Sequence, residues 1–180
     1  MQFNHIGKDV LIREWVRFGR PEHIWIGNHV RIDDFVLLAG GLEELTRIGN
    51  YVHIASFCNV QGGGGVTMQD FTGIAPGCRL FSDTADYVNG GLMGPTIPLE
   101  FHNDRAGHIV LERFVVLGAN CVVMPGVTIG EGATVGACSF INRDLAPWTV
   151  NVGIPARPIK KRNKEGVLQR AEELMRRYLD

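Results

Sequence analysis

Leu111-Glu-Arg-Phe-Val-Val-Leu117-Gly-Ala-Asn-Cys-Val-Val123-Met-Pro-Gly-Val-Thr-Ile129-Gly-Glu-Gly-Ala-Thr-Val135 places a large aliphatic side chain at every sixth position, and Ile141 continues the series. The same step recurs upstream at Ile6, Ile12, Phe18; at Ile26, Ile32, Leu38; at Ile48, Ile54, Val60; and at Met68, Ile74, Leu80. Four places after most of these comes a small or β-branched residue, among them Val10, Val16, Val30, Val36, Val52, Thr72, Val115, Val127, Ala133 and Ser139. A period of six fits neither a helix nor a single amphipathic strand. It fits short strands joined by tight turns and stacked into a solenoid. Three steps make one coil of 18 residues, and the core positions define about six coils, starting near Ile6, Ile26, Ile48, Met68, Leu111 and Ile129.

The totals agree with one soluble domain. The chain has 180 residues, 45% hydrophobic and 21% charged. No apolar stretch approaches a membrane span. The start, MQFNHIGKDV, lacks a basic-plus-apolar export signal. A net charge of −1 and a pI near 6.6 give no global case for nucleic acid. Cys58, Cys78 and Cys121 occupy the small four-place slot, where a buried thiol packs well. Cys138 lies off that slot, and no CxxC spacing occurs. Free thiols in the cytoplasm are the expectation.

The rhythm breaks in two places. Between Leu80 and Leu111 an excursion over 81–107 concentrates polar groups: Asp83, Asp86, Tyr87, Asn89, His102 and Asp104. Such an excursion from a regular solenoid is costly to order and is usually functional. Shorter joints at 19–25, 39–47 and 61–67 use Gly40-Gly41 and Gly62 to Gly65 as corners. After 162 the period becomes helical. Over 163–180, Val167, Leu168, Ala171, Leu174, Met175, Tyr178 and Leu179 share one face, as in an amphipathic helix that covers an end or side of the solenoid.

The run Ile109 to Ala137, with its Pro125-Gly-Val-Thr-Ile-Gly130 segment, and the later Asn151-Val-Gly-Ile-Pro-Ala-Arg-Pro-Ile-Lys160 resemble the hexapeptide-repeat acyltransferases. The look is nearest to galactoside and maltose acetyltransferases and to the sugar acetyltransferases of surface-polysaccharide biosynthesis. The resemblance implies an all-β, left-handed parallel β-helix, an exception to the usual right-handed crossover. It also implies acetyl-CoA as cosubstrate, a homotrimer, and active sites in the clefts between neighbouring helices. Ala119 and Ala137 match coil positions whose backbone lines the acetyl-CoA groove. Asn142, Arg143, Arg157 and Lys160 match positions near the CoA tail and its phosphates.

Transfer to a hydroxyl needs a base, and histidine titrates near neutrality. His5, His23 and His29 read as surface or cap residues. His53 precedes core Ile54 and points out of the coil. His102 lies in the long excursion and His108 at its exit. The galactoside-type enzymes carry a catalytic histidine about five residues after the equivalent of Leu80; here Asp83-Thr-Ala-Asp86-Tyr87 stands there instead. His108 matches a second active-site histidine of the serine acetyltransferases. The order of expectation for the base is therefore His102, His53, His108. Asp83 and Asp86 are read as groups that orient the histidine, bind acceptor or act as base, and Tyr87 and Asn89 as acceptor contacts. An amino-sugar acceptor needs no histidine, since a neutral amine is itself nucleophilic and proximity carries much of the rate.

Acetyl transfer from acetyl-CoA to a hydroxyl or amino group of a sugar or nucleotide sugar is the expected activity, with no metal. Two other classes stay open. One is a non-catalytic scaffold, because fold alone does not establish activity. The other is a zinc protein resembling the γ-class carbonic anhydrases, which needs three converging histidines.

Overall fold

A computed structural model describes residues 2–42 and 44–178; Leu179, placed on the helix face above, lies outside the described residues. Short parallel strands stack into three flat faces of a β-helix. The first face holds His5–Ile6, Ile24–Ile26, Thr46–Ile48, Val66–Met68, Ile109–Leu111 and Thr128–Ile129. The second runs from Leu11–Ile12 to Thr134–Val135, and the third from Arg17–Gly19 to Phe140–Ile141. The register is the sequence rhythm made spatial. Ile26 pairs with Ile48, Met68 with Leu111, and Leu111 with Ile129. On the second face Ile54 pairs with Ile74, Ile74 with Leu117, and Leu117 with Val135. All of these side chains are buried. This is the left-handed β-helix class expected above. Six coils are complete, and a partial seventh exceeds the expected count: Leu145 bridges to Ile129 and Asn151 pairs with Val135.

The four-place slot is buried as well, and its thiols are satisfied. Cys58, Cys78 and Cys121 donate to the carbonyls of Ala75, Gly118 and Gly136 at 3.1–3.2 Å. All four cysteines are free, and Cys138 is exposed.

A further regularity lies three places after each core residue. His29, Tyr51, Phe71, Phe114 and Trp148 line one corner; Trp15, Phe35 and Phe57 line another. Most of these residues have positive φ, near 55–64°. That conformation costs an L-residue about 1–2 kcal/mol. Stacking across coils offsets it: Tyr51 and Phe71 lie 5.0 Å apart with planes 7° off parallel, and such pairs contribute about 0.5–1.5 kcal/mol beyond burial. Gly132 takes this slot in the sixth coil. A Cβ there would strike the Trp148 indole, which reaches across it toward Phe114.

The chain then leaves the solenoid in an antiparallel pair, Thr149–Gly153 with Ala156–Lys161. Arg162 donates to the carbonyls of Phe114 and Gly132 at 2.7 and 2.9 Å. Asn163 caps the helix Lys164–Tyr178 through the Gly166 N–H. Lys164 sits over Trp148, and Met175 meets His29, Tyr51 and Phe71. The helix therefore covers a side of the solenoid, along the longer aromatic stack. No described helix is long and apolar enough to cross a membrane.

The inward stack is expected to carry the stability. Leu117→Ala should cost about 2–5 kcal/mol, read from the shift of the urea unfolding midpoint; a loss below 1 kcal/mol would show that the core collapses around the gap.

Candidate functional site

The excursion after Leu80 is more ordered than its composition suggests. Asp83–Thr84 pairs antiparallel with Arg105–Ala106 to form a stem. Buried Ser82 fixes its base: its hydroxyl donates to the Gln61 carbonyl and accepts the Gly64 N–H, while its own carbonyl accepts from Gly107. The glycine run at 62–65 is thus more than a corner. The Asp83 carboxylate occupies the space a Gly63 Cβ would need, and a Gly64 Cβ would meet the Ser82 carbonyl at 2.6 Å and the Gly107 nitrogen at 2.7 Å.

Asp86 is the hub of the loop. Its carboxylate accepts from the backbone of Val88 and Asn89 and from the side chains of Asn89 and Asn103, at 2.7–3.1 Å. Burial alone would raise its pKa; these hydrogen bonds outweigh burial and hold it below the usual carboxylate range. It ties the two arms of the loop together, and Asn89 belongs to the same knot. Tyr87 is exposed and shares a 2.8 Å hydrogen bond with Thr84.

His102 is bound at both ring nitrogens, to the Asp104 carboxylate at 3.0 Å and the Ile97 carbonyl at 3.1 Å. Both partners only accept, an arrangement that favours the doubly protonated ring. Asp104 raises its pKa against the opposing effect of burial, and the carbonyl adds to the rise. Held at both ring nitrogens, His102 braces the loop between Asp104 and Ile97. His53 is elsewhere, on the second face, paired with Asp33 at 2.8 Å. Burial works to raise the Asp33 pKa, but hydrogen bonds from His53 and Arg31 overcome it and keep the carboxyl ionised. His108 is different again. Its Nδ1 faces two acceptors, the Gly64 carbonyl and the Glu44 carboxylate, each at 3.1 Å. Both acceptors suit an N–H at Nδ1, and Nε2 faces the Thr67 hydroxyl at 2.8 Å.

The stem divides two cavities of about 440 Å³ each. One is lined by Asp86, Tyr87, Val88, Arg105, Met124, Phe140 and Asn142, with apolar surface predominating. The other carries Glu44, Asp83, Asp104 and His108 against Gly63 and Gly64. Ala106 and Gly107 border both. The structure so brings Asp83 and His108 to one side, and Asp86, Tyr87 and Asn142 to the other. His102, His53 and Asn89 line neither. Ala119 and Ala137 stand in adjacent coils at the corner between the second and third faces, where the Cys138 N–H bonds the Ala119 carbonyl. Arg143, Arg157 and Lys160 are exposed, the last two on the antiparallel strand Ala156–Lys161. Glu44, Thr67 and Arg105 lie outside the sequence-based set, and Asp104 figures in it only among the polar groups of the excursion. Of the three, Thr67 has a signal: it precedes core Met68 as His53 precedes Ile54. Among the described residues no three His, Cys, Asp or Glu side chains converge as metal ligands.

Residues 108–143 match the family model for the bacterial transferase hexapeptide (six repeats). The dTDP-4-amino-4,6-dideoxy-D-glucose acyltransferase of Escherichia coli is 36% identical over 165 residues, 92% of this chain and 85% of that protein. This chain belongs to the hexapeptide-repeat acyltransferases. The acyltransferase also superposes on the crystal structure of AntD, an N-acyltransferase from Bacillus cereus in complex with dTDP and 3-hydroxybutyryl-CoA, with 39% identity and a TM-score of 0.89 over 96% of this chain and 90% of that one. A variant of AntD in complex with dTDP-4-amino-4,6-dideoxyglucose and coenzyme A matches with a TM-score of 0.90 over the same shares.

The loop brace is pH-dependent. Because the folded pKa of His102 is raised, its contribution is complete below the reference value of 6.5 and is lost as pH rises through the folded value. Wild type should therefore exceed His102→Gln in melting temperature at pH 5.5, with the gap closing toward pH 8.5; a gap that is constant with pH would disprove the charged brace. In the stem, Gly63→Ala should displace Asp83 and abolish acceptor turnover while leaving the circular-dichroism spectrum unchanged.

Proposed function

We propose that this acyltransferase moves the acyl group of a CoA thioester, acetyl-CoA in the simplest case, onto the amino group of a nucleotide-linked amino sugar. The observation that carries the reading is the pair of cavities meeting at Ala106 and Gly107. The apolar one, with Asn142 at its edge, takes the acyl end of the thioester. The one bearing Glu44, Asp83, Asp104 and His108 takes the acceptor. Carboxylates attract an ammonium and have no comparable preference for a neutral hydroxyl. The dTDP-4-amino-4,6-dideoxy-D-glucose for which the Escherichia coli relative is named, and which the Bacillus cereus variant holds, supports the same choice.

The ammonium first gives one proton to solvent, and the neutral amine nitrogen adds to the thioester carbonyl. The C–N bond forms, the C–S bond breaks as the tetrahedral intermediate collapses, and CoA leaves as thiolate. The proton shed by nitrogen ends on that thiolate, relayed by His108 through the Thr67 hydroxyl at its Nε2. On the donor side, the backbone at Ala119 and Ala137 flanks the pantetheine arm, and Arg143, Arg157 and Lys160 receive the CoA phosphates. Three copies form the working enzyme, with sites in the clefts between them. Exposed apolar side chains on the second face, Leu11 and Val116, and the exposed Trp15, Phe35 and Phe57 stack support such contacts. The cytoplasm is the compartment, in keeping with four free thiols.

Release of free thiol from acetyl-CoA should be rapid with dTDP-4-amino-4,6-dideoxyglucose and absent with dTDP-glucose; acylation of the hydroxyl sugar alone would overturn the reading. His108→Ala should lower kcat about a hundredfold with KM for acetyl-CoA unchanged. Light scattering should return three times the chain mass of 19.9 kDa; a monomer would refute the trimer.

A further inference from the structure

The residue one place before each core position of the first face points outward, and three of these form a row. Trp25 pairs directly with Arg47, and Arg47 with Thr67. Neighbouring strands lie about 4.8 Å apart, so the backbones at Trp25 and Thr67 stand about 10 Å apart with Arg47 on the strand between them. Thr67 is the residue that contacts His108 in the acceptor-side cavity. Arg113 joins from the corner after Leu111, its backbone N–H on the Gln69 side chain at 3.1 Å and its guanidinium 4.9 Å from the Phe114 ring centre. Trp25, Arg47, Thr67, Gln69, Asp70 and Arg113 enclose a groove of about 280 Å³. His5 stacks on Trp25 at 4.9 Å with planes 16° apart, which fixes the indole plane. Asp70, the one acid in the groove, directs Oδ1 to the Asn50 backbone and side-chain amides at 2.7 and 3.1 Å.

Electrostatics separates this groove from its neighbour. The acceptor-side cavity, with Glu44, Asp83 and Asp104, repels a diphosphate. The groove offers two guanidiniums, whose planar fork suits phosphate oxygens, and the Trp25 ring, on which a base can stack.

We propose that the first-face groove binds the nucleoside diphosphate half of the acceptor. The diphosphate lies on Arg47 and Arg113, the base lies against Trp25, and the sugar passes Thr67 into the acceptor-side cavity. The proposal rests on the nucleotide-linked acceptor proposed above. It assigns the groove to the acceptor and leaves the CoA phosphates to the C-terminal coils.

Calorimetric titration of the intact enzyme with dTDP, and separately with CoA, tests it. Arg47→Gln and Trp25→Ala should each weaken dTDP about tenfold or more with CoA affinity unchanged, and Arg113→Gln should act in the same direction. Thymidine, which lacks phosphates, should depend on Trp25 and be indifferent to Arg47. Trp25→Phe keeps an aromatic face and should retain most of the dTDP affinity, which separates lost stacking from lost folding. Unchanged dTDP binding in all variants overturns the groove while leaving the nucleotide-sugar reading intact. A fall in CoA affinity in place of dTDP affinity assigns the groove to the cofactor and also overturns it. Wild-type enzyme that ignores dTDP and UDP yet acylates a free amino sugar overturns the nucleotide-linked acceptor, and the groove assignment with it.

Discussion

Each inward aliphatic side chain sits directly on another, one strand spacing away, along all three faces. That stacking is the constraint on which the molecule depends. Strands of two or three residues cannot hold a conformation alone, and they persist here because Ile54, Ile74, Leu117 and Val135 form a continuous buried column. The corners must then turn within about four residues, which forces left-handed backbone at non-glycine positions. Aromatic stacking between coils meets that cost where Tyr51, Phe71 and Phe114 stand. The same stack then serves as the floor for the C-terminal helix. Core, corners and helix are thus successive consequences of one spacing.

Polar side chains and cavities gather where the spacing fails. The loop cannot draw on the column for its order, so it builds its own polar interior. Asp86 gathers donors from both arms, His102 braces Asp104 against Ile97, and Ser82 seals the base. The result is a rigid partition between an apolar and an acidic cavity, set against coils whose register does not vary. Ala106 and Gly107 border both cavities and mark where they adjoin.

How much of this was legible differs by residue. Most of the core from Ile26 onward and the buried cysteines could be read because each depends on local spacing, whereas Ile6 and Tyr178, expected on buried faces, are exposed. The family resemblance added handedness and the acyl donor. The roles within the loop could not be read in the same way. His102 has a suitable side chain in a suitable segment, yet two acceptors occupy it. His108, ranked last, reaches the acidic cavity because the strand at Ile109 pairs with the strand at Val66, which brings Thr67 and Gly64 beside it. The corner aromatics were visible at three places after each core residue, but they declared a purpose only when adjacent coils brought their rings within stacking distance.

By itself, the sequence determined the period, and through it the coil, the core and the limits of the excursion, because burial of one side chain in six is a property of neighbours along the chain. Only the tertiary structure decided which polar groups remain available for chemistry. Whether an aspartate is a knot or a lining, and whether a histidine's ring nitrogens are engaged or open, depends on partners far away in the chain, as Thr67, Gly64 and Glu44 are from His108. Hydrogen bonding saturates and is directional, so a polar side chain's function is set by what folding leaves unpaired around it, and no local pattern encodes that remainder.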